Sequence, residues 1–220
     1  MSERTNWAAV SVALFAGVAA AAYVGKLPPA LPLLKADFGL SLVAAGWVVT
    51  MFNVIAIGGG IFFGLLADRV GALAFCLVGL SLLIAGGAAG AMAPGTALLL
   101  ASRVVEGAGF IAVAVSAPAL IAAAAATDDR RLALALWSMY MPFGIAVTVF
   151  ASTPVLAAVG WRGLWLAAVA ATFACVLAVL AFRQPFARRG GGGRRIADLV
   201  APLRQPRSED HTSELPVTVP

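Results

Sequence analysis

Six long apolar runs constrain the fold of this 220-residue chain more than any other feature. A helix that crosses the hydrocarbon core of a bilayer needs about 20 mainly apolar residues. A transmembrane barrel would instead need segments of about 10 residues with alternating polarity, and these runs do not alternate. The pattern therefore predicts an all-α membrane protein with six transmembrane helices, over residues 7–27, 42–66, 72–92, 97–126, 132–158 and 164–182.

Composition supports a lipid environment. Hydrophobic residues make up 62% of the chain and charged residues 11%, whereas soluble domains have about 45–50% apolar and about 25% charged residues. A domain of this size has too much surface to hide that excess from water. We therefore expect most of the apolar surface to face lipid or neighbouring helices.

Lysine and arginine positions predict the orientation. Cytoplasmic loops carry an excess of these residues, and ten arginines against three basic residues separate the two sides if the N-terminus is inside. We therefore expect residues 1–6 and everything from residue 183 to be cytoplasmic. The predicted inner residues are Arg4, Arg69, Arg130, Arg131 and six arginines between Arg183 and Arg204, and the predicted outer ones are Lys26, Lys35 and Arg162.

The composition changes abruptly after the sixth run. Residues 183–206 are rich in arginine and glycine, which predicts a flexible cytoplasmic loop near anionic lipid. The string RSEDHTSEL at 207–215 resembles, with one mismatch, the peptide encoded by a common sequencing adapter. This resemblance implies that residues 207–220 are not native, and that native sequence continues beyond a point near Pro206 in a part that is missing.

Several function classes lack the residues they need. The net charge of +5 is concentrated in the tail and the loops, a distribution typical of membrane orientation rather than nucleic-acid binding. The sequence has a single histidine, His211, and its cysteines, Cys76 and Cys175, lie inside apolar runs. We find no metal-ligand cluster, Walker loop or nucleophile–base pair. The sequence therefore predicts no catalytic residues, no cofactor and no enzyme activity.

The segment between the second and third runs, GLLADRVG at 64–71, resembles the signature loop of the major facilitator superfamily. In that family the loop is a latch between the two halves of the transporter. We expect Gly64 to allow close helix contact, Asp68 to cap a helix or pair with a cation, and Gly71 to permit a tight turn. The matching residues are Gly64, Asp68, Arg69 and Gly71, while Ala72 and Leu73 stand where the family pattern has basic residues.

The fourth run contains ionisable residues and a second resemblance to the same family, the pattern R-x-x-x-G-x-G. Arg103, Gly107 and Gly109 match it, and the glycines are expected to serve helix packing. Arg103 lies about 10 Å inside the run at 1.5 Å per residue, and Glu106 shares its helix face. One hypothesis places this pair in the substrate or proton pathway, where Arg103 binds an anionic group or tunes a proton-binding carboxylate. The other makes it a self-contained pair that only holds the fold.

Polar and aromatic residues are unevenly distributed among the runs. Trp47, Thr50 and Asn53 lie on the second run, and Trp137 and Tyr140 on the fifth. The third and sixth runs are nearly featureless. We therefore expect the second, fourth and fifth runs to line a cavity and the third and sixth to face lipid. The segment GWRG at 160–163 also looks like the superfamily, and we expect its tryptophan to anchor at the outer membrane interface.

The resemblance implies the N-terminal six-helix half of a transporter of twelve spans, built from two inverted three-helix repeats. It implies secondary active transport of a small solute by alternating access in a bacterial inner membrane, with the missing C-terminal half as a partner. Arg103 favours a small anion as the substrate. The sequence does not decide whether transport is coupled to protons. The alternative is a natural half-size membrane protein that dimerises or acts as a non-transporting scaffold.

Overall fold

The structure, a computed structural model, describes residues 4–187, except for the side chains of 55–61. Most of these residues are helical, and no strand occurs within this part of the chain, so the predicted all-α class is confirmed. Most of the predicted 183–206 loop and the whole 207–220 tail lie outside the described residues. The helices are α1 (Trp7–Gly25), α2 (Leu27–Phe38), α3 (Leu42–Val70), α4 (Ala72–Ala91), α5 (Thr96–Ala124), α6 (Arg130–Trp137), α7 (Tyr140–Ala181) and α8 (Arg183–Ala187).

The first apolar run continues further than the sequence predicts. The sequence predicts that the first helix ends at residue 27, just before Pro28 and Pro29, but these prolines occupy the first turn of α2 instead. Proline is tolerated there because a first-turn N–H has no intrahelical acceptor to lose. Together α1 and α2 form a stretch of 32 residues with the composition of a membrane span, and Lys26 lies inside it.

The long helix α7 contains two passes. Gly160, with φ 66° and ψ −172°, breaks the helical geometry. Ile145 lies against Gly25, and the Thr172 hydroxyl is 3.3 Å from the Tyr23 hydroxyl. A straight helix would separate residues 145 and 172 by about 40 Å, so the chain reverses at Gly160.

Within residues 4–187 this geometry is consistent with the six predicted crossings. The α1–α2 stretch, α4, α5 and α7 are each long and apolar enough to cross a membrane, and α7 does so twice. Helix α3 corresponds to the predicted second run, and its described apolar part is the shorter segment Leu42–Val54. The predicted fifth run differs in detail, because its first residues form the separate helix α6 and α7 begins only at Tyr140.

Replacing Gly160 with alanine is expected to destabilise the fold by about 1–3 kcal/mol, the cost of holding a non-glycine residue in this backbone region. A Cβ at Gly160 would meet nothing within 4 Å, so the effect would come from the backbone alone. Thermal unfolding in detergent micelles measures it. Gly95→Ala is the matched control, because Gly95 has an extended backbone (φ −170°) and equally open surroundings. Equal midpoints for the two variants would contradict the expectation.

Helix α5 is the centre of the bundle and packs against α1, α3 and α4. Glycines allow the closest approaches, as is common between membrane helices. A Cβ at Gly109 would lie 2.6 Å from the Gly79 carbonyl oxygen on α4, and a Cβ at Gly107 would overlap the Phe52 carbonyl oxygen on α3. The structure thus places Gly107 and Gly109, predicted as packing residues, at two different helix contacts.

Candidate functional site

Three charged side chains meet in the interior of the bundle. Glu106 accepts a hydrogen bond from Lys26 Nζ at 2.7 Å through Oε1, and its Oε2 contacts Arg103 Nη1. Arg103 Nη1 also donates to the Tyr23 carbonyl oxygen at 3.2 Å. None of the three charged side chains is more than 2% exposed. We call Lys26, Arg103 and Glu106 the charge cluster.

The sequence predicts two members of the charge cluster and misplaces the third. Arg103 and Glu106 are three residues apart on α5 and pair directly, as helical spacing indicates. Lys26 was expected at the outer surface, but it is completely buried. The reason is that helix resumes at Leu27, which keeps Lys26 inside the α1–α2 stretch, where it pairs with Glu106 on α5.

Aromatic rings surround the two cations. Lys26 Nζ lies 4.1 Å from the centre of the Tyr23 ring and 4.2 Å from that of Trp165, and the Arg103 guanidinium lies 4.6 Å from that of Phe52. Such cation–π contacts stabilise a cation that has left water. Trp165 belongs to the sixth apolar run, which was expected only to face lipid, so that run also contributes to the buried site.

Glycines on α4 make room for the charge cluster. A Cβ at Gly86 would lie 2.8 Å from Glu106 Cγ, and a Cβ at Gly90 would lie 2.8 Å from Trp165 Nε1. Because a contact below 3.0 Å forces neighbouring atoms to move, side chains at these positions would displace Glu106 or Trp165. Helix α4 therefore packs against the site with its backbone.

The charge cluster is unbalanced. Lys26 and Arg103 carry two positive charges and Glu106 one negative charge, and no other acidic side chain is buried in the described part of the chain. Within the same part, two buried donors, Arg103 Nε and Trp165 Nε1, have no hydrogen-bond partner. The buried site therefore has one more positive charge than negative charge, and it has N–H donors without acceptors.

The predicted aromatic residues form a separate feature. Trp137 and Tyr140 stack with ring centres 4.0 Å apart and lie against Gly17, nine residues or about 13 Å of helix before Lys26. Tyr140 also lines an open, mainly apolar cavity of about 210 Å³ between α1 and the α6–α7 region. Trp47 and Asn53 on α3 are exposed and do not join the charge cluster.

The signature loop shows one of its expected features. Gly71 has a φ of 91° and forms the turn between α3 and α4, which requires glycine. Within residues 4–187, however, Asp68 and Arg69 are exposed and make no ion pair or side-chain hydrogen bond, and Asp68 does not cap α4. A Cβ at Gly64 would meet nothing within 4 Å, so the close helix contact expected there is also missing from this part of the structure.

The GWRG segment bonds to the end of α2 and to the connection between α4 and α5, and its tryptophan is buried rather than placed at a lipid interface. Trp161 is 3% exposed, and its Nε1 donates to Asp37 Oδ2 at 2.6 Å. Arg162 donates to the same carboxylate at 3.3 Å and to the Ala93 carbonyl oxygen at 3.2 Å. Trp161 also packs edge-on against Trp165 at 5.6 Å, so this link supports one wall of the charge cluster.

Comparison with known proteins agrees with this architecture. A family model described as Major Facilitator Superfamily matches residues 10–210. The arabinose-proton symporter of Escherichia coli (strain K12) is 25% identical over 215 residues, which cover 97% of this chain and 46% of that protein. The galactose-proton symporter of the same strain is 24% identical over 184 residues, 84% of this chain and 39% of that protein. The chain thus spans about half the length of the curated relatives it matches.

Proposed function

The chain belongs to the major facilitator superfamily, and from that premise we propose that it forms one six-helix half of a proton-coupled secondary transporter of a small solute. It is a multi-pass membrane protein. We propose that a second set of six helices supplies the opposite wall and that access alternates between the two sides of a bacterial inner membrane. In this proposal residues 1–6 and the chain from residue 183 are cytoplasmic.

The observation that carries this proposal is the buried charge cluster. Ionised groups inside an apolar bundle are costly and mark substrate or proton pathways. The relatives are named as proton symporters, which supports proton coupling at a group such as Glu106. We propose that Glu106, Arg103 and Lys26 form the substrate or proton site.

Coupling can follow from the way Glu106 joins two parts of the bundle. Its carboxylate holds Lys26, at the joint between α1 and α2, against α5. Protonation removes the negative charge and with it the attraction to both cations. The joint can then move relative to α5, so that the state of the proton biases the position of a helix.

Residues outside the charge cluster are proposed to assist transport as a latch or as pathway lining. Gly64, Asp68, Arg69 and Gly71 are proposed to act as a latch that engages the second half. Trp47, Asn53, Trp137 and Tyr140 are proposed to line the pathway, since Trp47 and Asn53 are exposed on α3 and Tyr140 lines an open cavity.

Replacing Arg103 with alanine is expected to lower uptake at least tenfold, because its guanidinium is bonded to both Glu106 and the Tyr23 carbonyl, and a charge-assisted hydrogen bond contributes about 1.5–3 kcal/mol. Arg103→Lys should not restore uptake, because a lysine lacks the planar guanidinium that lies over the Phe52 ring and the buried Nε donor. The assay measures labelled arabinose, galactose and lactate in cells that express the whole gene encoding these residues, with and without a protonophore.

Arg131→Ala is the matched control, because Arg131 is exposed and bonded to no described side chain. Uptake is normalised to the amount of protein in the membrane. Unchanged uptake in Arg103→Ala would reduce the charge cluster to a structural role. Uptake by cells that express only this chain would favour the half-size dimer, and uptake that ignores the protonophore would remove proton coupling.

A further inference from the structure

We propose that the charge cluster binds a small monoanion, a carboxylate or an inorganic oxyanion, between Lys26, Arg103 and Trp165. This inference rests on the proposed function, since it names the substrate class of the same site. It departs from the sugars that appear in the names of the relatives, and it rests on the charges and donors of this chain.

The first argument is the charge count. Lys26 and Arg103 share one carboxylate, and the other buried polar side chains of the described residues are the hydroxyls of Ser102, Ser116, Ser152 and Thr172. One positive charge therefore has no buried counterion. Isolated charges in a low-dielectric interior are strongly disfavoured unless they are paired. A single negative charge from a ligand would neutralise the site, whereas a neutral sugar would leave it charged.

The second argument is the kind of hydrogen-bonding group that is free. Arg103 Nε and Trp165 Nε1 are buried donors without partners among the described residues, and such orphaned groups are rare in folded proteins. Both oxygens of Glu106 are already engaged by cations. A sugar hydroxyl both donates and accepts, whereas a carboxylate or an oxyanion only accepts. The free groups at this site are donors, which fits an acceptor-only ligand.

The third argument is the placement of these donors around the cations. Lys26 Nζ lies over the Trp165 ring at 4.2 Å, so the indole whose N–H is free adjoins one cation. The unpaired Nε belongs to Arg103, the second cation. Glu106 contacts both Lys26 and Arg103. A monoanion that replaces one contact of Glu106 would gain a cation and an adjacent N–H donor together. Binding of the anion and release of Glu106 would then be coupled.

The test uses the full 220-residue chain, purified in detergent, with sodium lactate, sodium nitrate and arabinose as probes. A ligand that binds the folded state raises the unfolding midpoint in a saturable way. We expect lactate, nitrate or both to raise it and arabinose to have no effect. Trp165 adjoins Lys26, so tryptophan fluorescence should change over the same concentrations. A response to lactate alone indicates an organic carboxylate, and an equal response to nitrate indicates an oxyanion site without further selectivity.

Charge-matched variants make the result specific. Lys26→Met leaves Arg103 and Glu106 in balance, and its half-saturating anion concentration should rise at least tenfold. The double variant Lys26→Met/Glu106→Gln has one positive charge again and should recover anion binding. Glu106→Gln alone has two positive charges and should bind more tightly than the wild type.

Three results would overturn the monoanion. They are a wild type without a saturable anion response, an equal response in all the variants, and a response to arabinose alone. The wild-type titration decides the matter even if a variant does not fold. None of these results changes the outcome of the uptake assay. The proposed transport function can therefore hold for a neutral solute even when anion binding is rejected.

Discussion

Glu106→Gln is expected to destabilise the folded chain by about 3–5 kcal/mol, the usual cost of removing one partner from a buried ion pair. The glutamine has almost the same shape as the glutamate, so packing against Gly86 is preserved. What is lost is the only buried negative charge of the described residues, and Lys26 and Arg103 are left facing each other across the site. The penalty therefore reports unpaired buried charge rather than a cavity.

Thermal or detergent-induced unfolding of the purified chain measures this loss. Asp128→Asn makes the same change of charge at an exposed position without an ion pair in the described structure, and it should move the midpoint very little. If both variants unfold alike, Glu106 is not the counterion that holds the site together. An anion that binds the variant should restore part of the lost stability, because ligand binding to the folded state shifts the midpoint upwards.

The helical class and the approximate number of membrane crossings could be predicted because a bilayer permits little else. Backbone groups in lipid must be satisfied within the segment, so an apolar run of sufficient length becomes a helix. The joints between runs were harder to predict. Pro28 and Pro29 have the same local chemistry at the start of one helix as just after the end of another, and only tertiary packing decides between the two.

The candidate site was predictable only for residues that are close to each other in the sequence. Arg103 and Glu106 are paired by helical spacing alone. Lys26 reaches Glu106 across 80 positions of sequence, and Trp165 reaches Lys26 from the part of α7 that follows Gly160. Counting basic residues to predict orientation treats each lysine as a surface charge. For this reason the burial of Lys26 was not predicted. A signal was available in Glu106 itself, because a carboxylate so deep in an apolar run attracts any cation that can reach it.

Four residues with predicted roles are exposed and make no contact with the charge cluster. Asp68 and Arg69 were expected to act in a latch, and Trp47 and Asn53 to line a pathway. All four side chains are exposed in this chain. Contacts among the described residues explain the charge cluster but not these four residues, so their roles stay predictions.

Gly107→Ala is expected to destabilise the fold by about 3 kcal/mol, at the upper end of the range for overpacking. The added methyl group would overlap the Phe52 carbonyl oxygen and lie 2.9 Å from its carbonyl carbon. These are backbone atoms of α3, so no side-chain rotation relieves the overlap. The two helices must separate, and Phe52, whose ring covers the Arg103 guanidinium at 4.6 Å, would move with α3.

Gly46→Ala provides the matched control, because Gly46 is also helical, on α3, and a Cβ there would meet nothing within 4 Å. It should be neutral or stabilising by up to about 1 kcal/mol, since alanine favours a helix more than glycine does. Unfolding midpoints of the two variants in the same detergent separate close packing from helix propensity. Because Phe52 lies between α3 and Arg103, Gly107→Ala should also weaken anion binding, whereas Gly46→Ala should not. A Gly107→Ala protein as stable as Gly46→Ala would mean that α3 and α5 are not in backbone contact, and the shielding of Arg103 by Phe52 would lose its support.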